Sequence, residues 1–167
     1  ARRSVLSAFY TSPHITKATW SILTRLGIKG GIGLEPSFGT GNFASTIPAE
    51  LQETSALQGR ELDTVTGEIS GHIHGDLVKT AGFESTNFPS NHFDFSIGNI
   101  PFGDYKVYDK NHKDLSNNLI HDYFILKMLD KVKPGGFVPV LTSSGTMDKK
   151  SDNVRQEISK TANLVGA

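Results

Sequence analysis

Gly31-Ile32-Gly33-Leu34-Glu35-Pro36-Ser37-Phe38-Gly39-Thr40-Gly41-Asn42-Phe43-Ala44 reads as a strand over Gly31 to Leu34, a glycine loop, and a helix that begins at Asn42. A strand that feeds a helix through glycines is the start of a βαβ unit, in which backbone amides can approach a ligand that no side chain would tolerate. Outward from that stretch, apolar runs alternate with helical patterns. A helical stripe over Thr16 to Leu26, stopped by Gly27, precedes the first strand. After it come a helix over Asn42 to Leu57 interrupted at Pro48, a short strand at Arg60 to Leu62, a helix over Thr64 to His74, and a weak strand at Leu77 to Thr80. Phe93, Phe95 and Ile97 alternate into a fourth strand that Gly98 ends. Leu119 to Val132 is the clearest helix, with Pro134-Gly135-Gly136 as its stop, followed by a fifth strand at Phe137 to Leu141. Ser151 caps a last helix to Ala162, and Leu164 and Val165 open a sixth strand. The expected class is α/β: a Rossmann-like, doubly wound, mostly parallel sheet with helices on both faces.

Composition sets bounds on function. The 167 residues suit one domain, and 17 basic residues balance 17 acidic ones, without the excess of a self-sufficient nucleic-acid binder. Cysteine is absent, which excludes disulfides and thiolate metal sites. No apolar run approaches the ~20 residues a bilayer span needs, so no membrane partner is expected and the cytoplasm is the default location. The chain starts without Met and ends on Asn163-Leu164-Val165-Gly166-Ala167, which reads as a strand cut short. A fragment of a longer protein, spanning one catalytic domain over 1–167 with no target-recognition domain, is the expectation.

The glycine loop admits two cofactors. Gly39, Gly41 and Ala44 satisfy the dinucleotide pattern, with Glu61 about twenty residues on, where a ribose-binding acid belongs. Against that reading, Glu35, Pro36 and Ser37 widen the loop before the glycines begin. An acid at the strand end also suits a cofactor that carries a free ammonium, which Glu35 reaches directly or through water. A purely structural glycine turn is the third reading.

Asn99-Ile100-Pro101-Phe102 leaves the fourth strand. An aromatic amine is a poor nucleophile because its lone pair is delocalised into the ring. The Asn99 side-chain oxygen and the Ile100 carbonyl can accept the two amine hydrogens and stabilise charge as it develops during in-line attack on a sulfonium methyl. Pro101 stiffens the turn, and Phe102 offers a flat face to a base swung out of its helix. The competing reading is an ordinary β-turn with a buried Phe.

Phe9-Tyr10-Thr11, Leu34 to Ser37 through Gly39 to Phe43, Glu61-Leu62-Asp63 and Asn99 to Phe102 occur in the order found in adenine-specific DNA methyltransferases. The chain resembles in particular the methylase domains of large helicase-and-methylase proteins of phages, plasmids and conjugative elements. More distantly, it resembles the modification subunits of restriction systems. The likeness runs along nearly the whole chain and includes Gly98 to Tyr105, Ile120 to Phe124 and Pro134 to Met147. It implies a class I methyltransferase fold, S-adenosylmethionine as cofactor, and N6 methylation of a flipped-out adenine in DNA, with the rest of a longer helicase/methylase protein as a partner.

By the same resemblance Tyr10 and Thr11 lie over the methionine part of the cofactor. Glu35, Pro36, Ser37, Gly39, Gly41, Asn42 and Phe43 form its loop, Glu61 holds the ribose, Leu62 contacts the cofactor adenine, and Asn99, Ile100, Pro101 and Phe102 are catalytic. The chain departs from the family in three places: Ile100 stands where proline is commoner, Gly33 where a β-branched residue is usual, and Pro139 inside the fifth strand. A further acid that contacts the cofactor adenine falls near Gly82 or Glu84. Similar catalytic loops serve enzymes that methylate glutamine in proteins or guanine in ribosomal RNA, and a noncatalytic module is also compatible.

Other candidates have two readings each. Tyr105, Lys106, Tyr108, Lys110, His112 and Lys113 lie in the polar stretch Gly103 to Asn118, a phosphate-contacting lid or a solvated loop. His72 and His74 read as surface residues, with no metal site. His121 and Asp122 read as structural at a helix start, while Ser143 to Thr146 line the base pocket or form a plain turn.

Overall fold

The computed structural model describes residues 10–167, so Phe9 lies outside the described residues. Its centre is a parallel sheet in which β1 (Gly31–Glu35) pairs with β2 (Ser55–Glu61) on one side and β4 (Phe93–Ser96) on the other. The sheet order is β3 (Val78–Thr80), β2, β1, β4, β6 (Val132–Phe137). The strands run parallel, and the order in which they are laid down reverses between β1 and β4, which places the ends of those strands at the crevice where such folds bind ligands.

Two apolar layers cover the sheet. On one side α1 (Pro13–Arg25), α2 (Asn42–Ser45) and α3 (Ala49–Gln52) contribute Trp20, Leu23, Phe43 and Leu51 to a core with Leu57 and Phe95. Trp20 joins these helices: its indole N–H donates to the Phe43 carbonyl at 3.0 Å and its ring meets Phe95 edge-on. On the other side α5 (Ile120–Lys131) packs Ile120, Phe124 and Met128 against Leu34 and Phe93. The α4 helix (Thr64–His74) falls where its sequence placed it, with the Asp63 carboxylate accepting from the Thr66 N–H at 2.8 Å as an N-cap.

Five elements differ from expectation. The helix over Asn42 to Leu57 splits into α2 and α3, because Pro48 at φ −56° and ψ 143° breaks the helical run, and by Ser55 the chain is already in β2, beside Gly31. β2 is correspondingly longer than Arg60 to Leu62 and stops at Glu61. The strand expected over Phe137 to Leu141 instead starts at Val132 and bulges, since Phe93 and Phe95 pair with Val132 and Phe137. Exposed Pro134 sits in that bulge, where its missing N–H costs no ladder bond. β6 stops at Phe137, the Pro139 carbonyl accepts from the Gly98 N–H at 3.3 Å, and a short β7 (Val140–Leu141) pairs beside β5 (Gly98–Asn99), so Gly98 does not end strand structure. The last helix, α6, covers only Asn153–Ser159 with Asp152 rather than Ser151 at its N-cap position. Leu164 and Val165, expected to open a sixth strand, are exposed outside any strand.

Gly33 now has a physical reason. A Cβ there would run into the Phe95 ring and come within 2.9 Å of Leu57 Cδ1. The aromatic ring occupies the volume that a branched side chain would fill. Gly33→Val should therefore overpack this site and lower stability by about 1–3 kcal/mol in chemical denaturation. An unchanged midpoint would mean that Phe95 moves aside freely.

Candidate cofactor and catalytic site

The glycine loop is held from behind by side chains on β2 and α4. Glu61, at the end of β2, accepts from the Gly39 N–H at 2.7 Å and the Asp63 N–H at 2.8 Å, one with each carboxylate oxygen. From α4, Ser70 donates its hydroxyl to the Gly39 carbonyl, and His74 Nε2 lies 3.1 Å from the Thr40 carbonyl. His74 is therefore no surface residue: its ring meets Phe38 edge-on beneath the loop. The i, i+4 spacing of Ser70 and His74 on one helix face was the available signal. Gly41, at φ 78°, needs glycine on two grounds, since a Cβ would also strike His74 and the Phe38 ring. Thr11 joins the assembly by accepting from Asn42 Nδ2 at 2.7 Å.

Glu35 is the charged group at the centre of this arrangement. It is 2% exposed, and its Oε2 has no hydrogen-bond partner among the described residues. Burial, with a smaller push from the Glu61 charge, raises its carboxyl well above the ordinary range. An isolated buried carboxyl is costly, so it marks a place where a cationic group belongs. Because the folded-state value is raised, Glu35 costs stability as the pH climbs above the unfolded carboxylate range, where the unfolded chain ionises and the buried carboxyl keeps its proton. Glu35→Gln should therefore raise the melting temperature of the ligand-free protein at neutral pH. A drop would show that Glu35 has a partner.

The second loop is tied to the first. The Asn99 carbonyl accepts from the Ser37 hydroxyl at 2.7 Å, and Ser96 and Ile97 both donate to the Leu34 carbonyl, at 3.0 and 2.9 Å. On its other side, the Ile100 N–H donates to the Leu141 carbonyl at 3.0 Å, a bond that proline at this position could not make. Ile100 is buried while Pro101 and Phe102 are half-buried. Tyr10, Thr11, Glu35, Ser37, Gly39, Asn42, Phe43 and Asn99 together line one cavity of about 40 Å³. Leu62, 65% exposed, Pro36, Gly41, Glu61, Ile100, Pro101 and Phe102 are not among its lining residues. A larger open groove of about 470 Å³ runs between α1 and Pro48, beside Lys17, Arg25 and Glu50, and includes none of these candidates.

The segment after Phe102 is anchored, not a free lid. Asp109 is wholly buried and takes a 2.7 Å ion pair from Lys127 Nζ, itself wholly buried on α5, and a 2.7 Å hydrogen bond from the Tyr123 hydroxyl. Lys127 also donates to the Phe83 carbonyl at 2.6 Å and stands over the Phe83 ring. Burial pushes the Asp109 carboxyl up, but hydrogen bonds from Lys127, Tyr123 and the Asn111 N–H outweigh it and hold it at about 2. Around this anchor Tyr105, Lys106, Tyr108, Lys110 and Lys113 are exposed, and His112 is half-buried against Lys131. Among the described residues no cluster of three or more metal-binding side chains occurs, and no helix is long and apolar enough to cross a membrane.

Comparison with known proteins places this architecture. No protein-family model matches the chain. The Defense against restriction protein B of Escherichia phage P1 is 35% identical over 97% of this chain, which spans 7% of that protein's length. Among solved structures, a protein from Listeria monocytogenes described as a class I S-adenosylmethionine-dependent methyltransferase superposes with a TM-score of 0.70 at 18% identity, over 92% of this chain and 54% of its own. The methyltransferase subunit of a type I restriction-modification system from Streptococcus thermophilus gives 0.75 at 17%, over 92% and 39%. The chain therefore has the class I S-adenosylmethionine-dependent methyltransferase fold, shared with type I modification subunits, and is a sequence relative of one segment of the phage P1 defence protein.

Proposed function

We propose that this chain is the catalytic domain of a methyltransferase that moves the methyl group of S-adenosylmethionine to the exocyclic N6 amine of adenine in DNA, on a base turned out of the duplex. The observation that carries this reading is the shared cavity: Glu35, with an unpartnered buried oxygen, and Asn99 line the same space, and Ser37 hydrogen-bonds the Asn99 backbone. S-adenosylmethionine, when bound, supplies a methyl group activated by its sulfonium. The residues present fit it. Glu35 takes the ammonium of its methionine part, while Tyr10 and Thr11 border the same cavity. The Glu61 oxygens, already holding two backbone amides, keep further lone pairs for ribose hydroxyls. Leu62 offers exposed apolar surface to a flat ring.

For the acceptor, the Asn99 side-chain oxygen and Ile100 carbonyl would accept hydrogen bonds from the two amine hydrogens while the nitrogen takes the methyl group, the S–CH3 bond breaks to leave a neutral thioether, and the nitrogen then gives its surplus proton to solvent. The loop that carries them is fixed on both sides by Ser37 and Leu141, so little reorganisation is needed as charge develops. Equal numbers of acidic and basic residues favour a division of labour in which other parts of a larger helicase/methylase protein supply most of the affinity for DNA. Calorimetric titration with S-adenosylmethionine beside NAD, followed by transfer of labelled methyl groups to adenine-containing DNA, tests the reading. Binding of the methyl donor alone, with label recovered as N6-methyladenine, is expected. Label on protein or RNA but not DNA would move the substrate, and binding of NAD alone would overturn the reading.

A further inference from the structure

A second group of unsatisfied polar atoms lies beside the catalytic segment. His121 is 5% exposed, Asp122 2% and Thr146 5%. Both His121 ring nitrogens, Asp122 Oδ1, Thr142 Oγ1 and Thr146 Oγ1 are buried without a hydrogen-bond partner among the described residues. His121 Nε2 stands 3.6 Å from Asp122 Oδ1, too far for a hydrogen bond, and about 3.9 Å from where a Cβ on Gly145 would sit. Five orphaned atoms cost stability, since buried polar groups in folded proteins nearly always find partners. Such a cost is retained where a ligand completes the network.

The position of the group indicates the ligand. His121 directly follows Ile120, whose N–H donates to the Tyr105 carbonyl at 2.9 Å, and Thr142 directly follows Leu141, whose carbonyl accepts from Ile100. The two segments that carry the orphaned atoms are thus bonded to the two ends of the stretch Ile100 to Tyr105. Burial lowers the His121 imidazole below its ordinary range, the Asp122 charge opposes this, and the Lys149 charge adds to it. The ring is therefore neutral at neutral pH and has one N–H donor and one bare nitrogen acceptor. Lys149 pairs with the other Asp122 oxygen, Oδ2. Two hydroxyls, a neutral imidazole and one carboxylate oxygen suit a flat heterocycle with several ring nitrogens on its rim better than they suit a phosphate or an apolar group.

We propose that His121, Asp122, Thr142 and Thr146 form a polar subsite for the ring nitrogens of the substrate nucleobase, reading the base whose amine is presented to Asn99. This rests on the methyltransferase reading above. The test uses the 167-residue chain, Thr146→Val and His121→Phe. Thr146→Val removes one orphaned hydroxyl at nearly constant shape. It should leave the melting temperature and S-adenosylmethionine binding unchanged or improved, while lowering kcat/KM on adenine-containing DNA about tenfold. His121→Phe should lower it further.

As a readout independent of turnover, the His121 ring resonances, identified by their loss in His121→Phe, should shift when an oligodeoxyadenylate is added and stay put with oligothymidylate. Unchanged kcat/KM in both variants, or no shift with oligodeoxyadenylate, would overturn the subsite and leave the methyltransferase reading standing. If the wild-type chain binds no S-adenosylmethionine and methylates nothing, the parent reading fails. The resonance shift then decides the subsite by itself.

Discussion

On the proposed mechanism, in which the Asn99 side-chain oxygen acts on charge that develops only in the transition state, Asn99→Ala is expected to reduce turnover on DNA by about 100-fold to 1000-fold while S-adenosylmethionine still binds. The loop itself should survive. Two of the bonds that place it, from the Ser37 hydroxyl to the Asn99 backbone carbonyl and from the Ile100 N–H to Leu141, are unaltered by truncating the side chain. Parallel calorimetry and methyl-transfer kinetics would separate the two effects. A matched loss of cofactor affinity and turnover would place Asn99 in the cofactor site, and retained turnover would remove it from the chemistry.

The second large effect is on stability. Asp109→Ala leaves Lys127 wholly buried with its charge unmatched, a change that costs about 3–5 kcal/mol when one partner of a buried pair is removed. It also strips the Tyr123 hydroxyl of its acceptor. Equilibrium unfolding in urea would measure the loss, and a change under about 1 kcal/mol would show that the segment after the catalytic loop is not anchored through this pair. Acid should act in the same direction. The Asp109 carboxyl is depressed from its ordinary 3.8 to about 2, so its stabilisation is complete above the unfolded value and fades as the pH falls through about 2. Asp109→Asn should lose that dependence.

Much of the candidate site was legible because its residues act through local chain geometry. Glu35 follows directly from the strand Gly31 to Leu34, and Asn99 from the run ending at Ile97, so the parallel pairing of β1 and β4 was enough to bring them to one crevice. The residues that were missed act at a distance in sequence. Asp109 looked like one more charge in a polar loop, and its partner 18 residues on is a lone lysine in the apolar helix from Ile120 to Met128. A charged residue among so many buried ones was the trace left in the sequence. His74 was misread because its contact is with a loop carbonyl 34 residues earlier, which no local pattern reports. β2 was read too short because Ser55 and Ala56 carry no β-branched or aromatic signal, yet pairing with Gly31 and Ile32 makes them strand. The bulge in β6 reflects how many residues fit between Val132 and Phe137, a matter of register that hydrophobic patterning does not encode.

The Phe95 ring lying over Gly33 also ties the two positions together as the sequence changes. The two residues share one volume across neighbouring strands, so a branched side chain at position 33 calls for a smaller one at position 95. Changing either alone leaves a void or a collision, and both cost stability. Relatives with a branched residue at the first position should carry a smaller one at the second, and the pair should vary together.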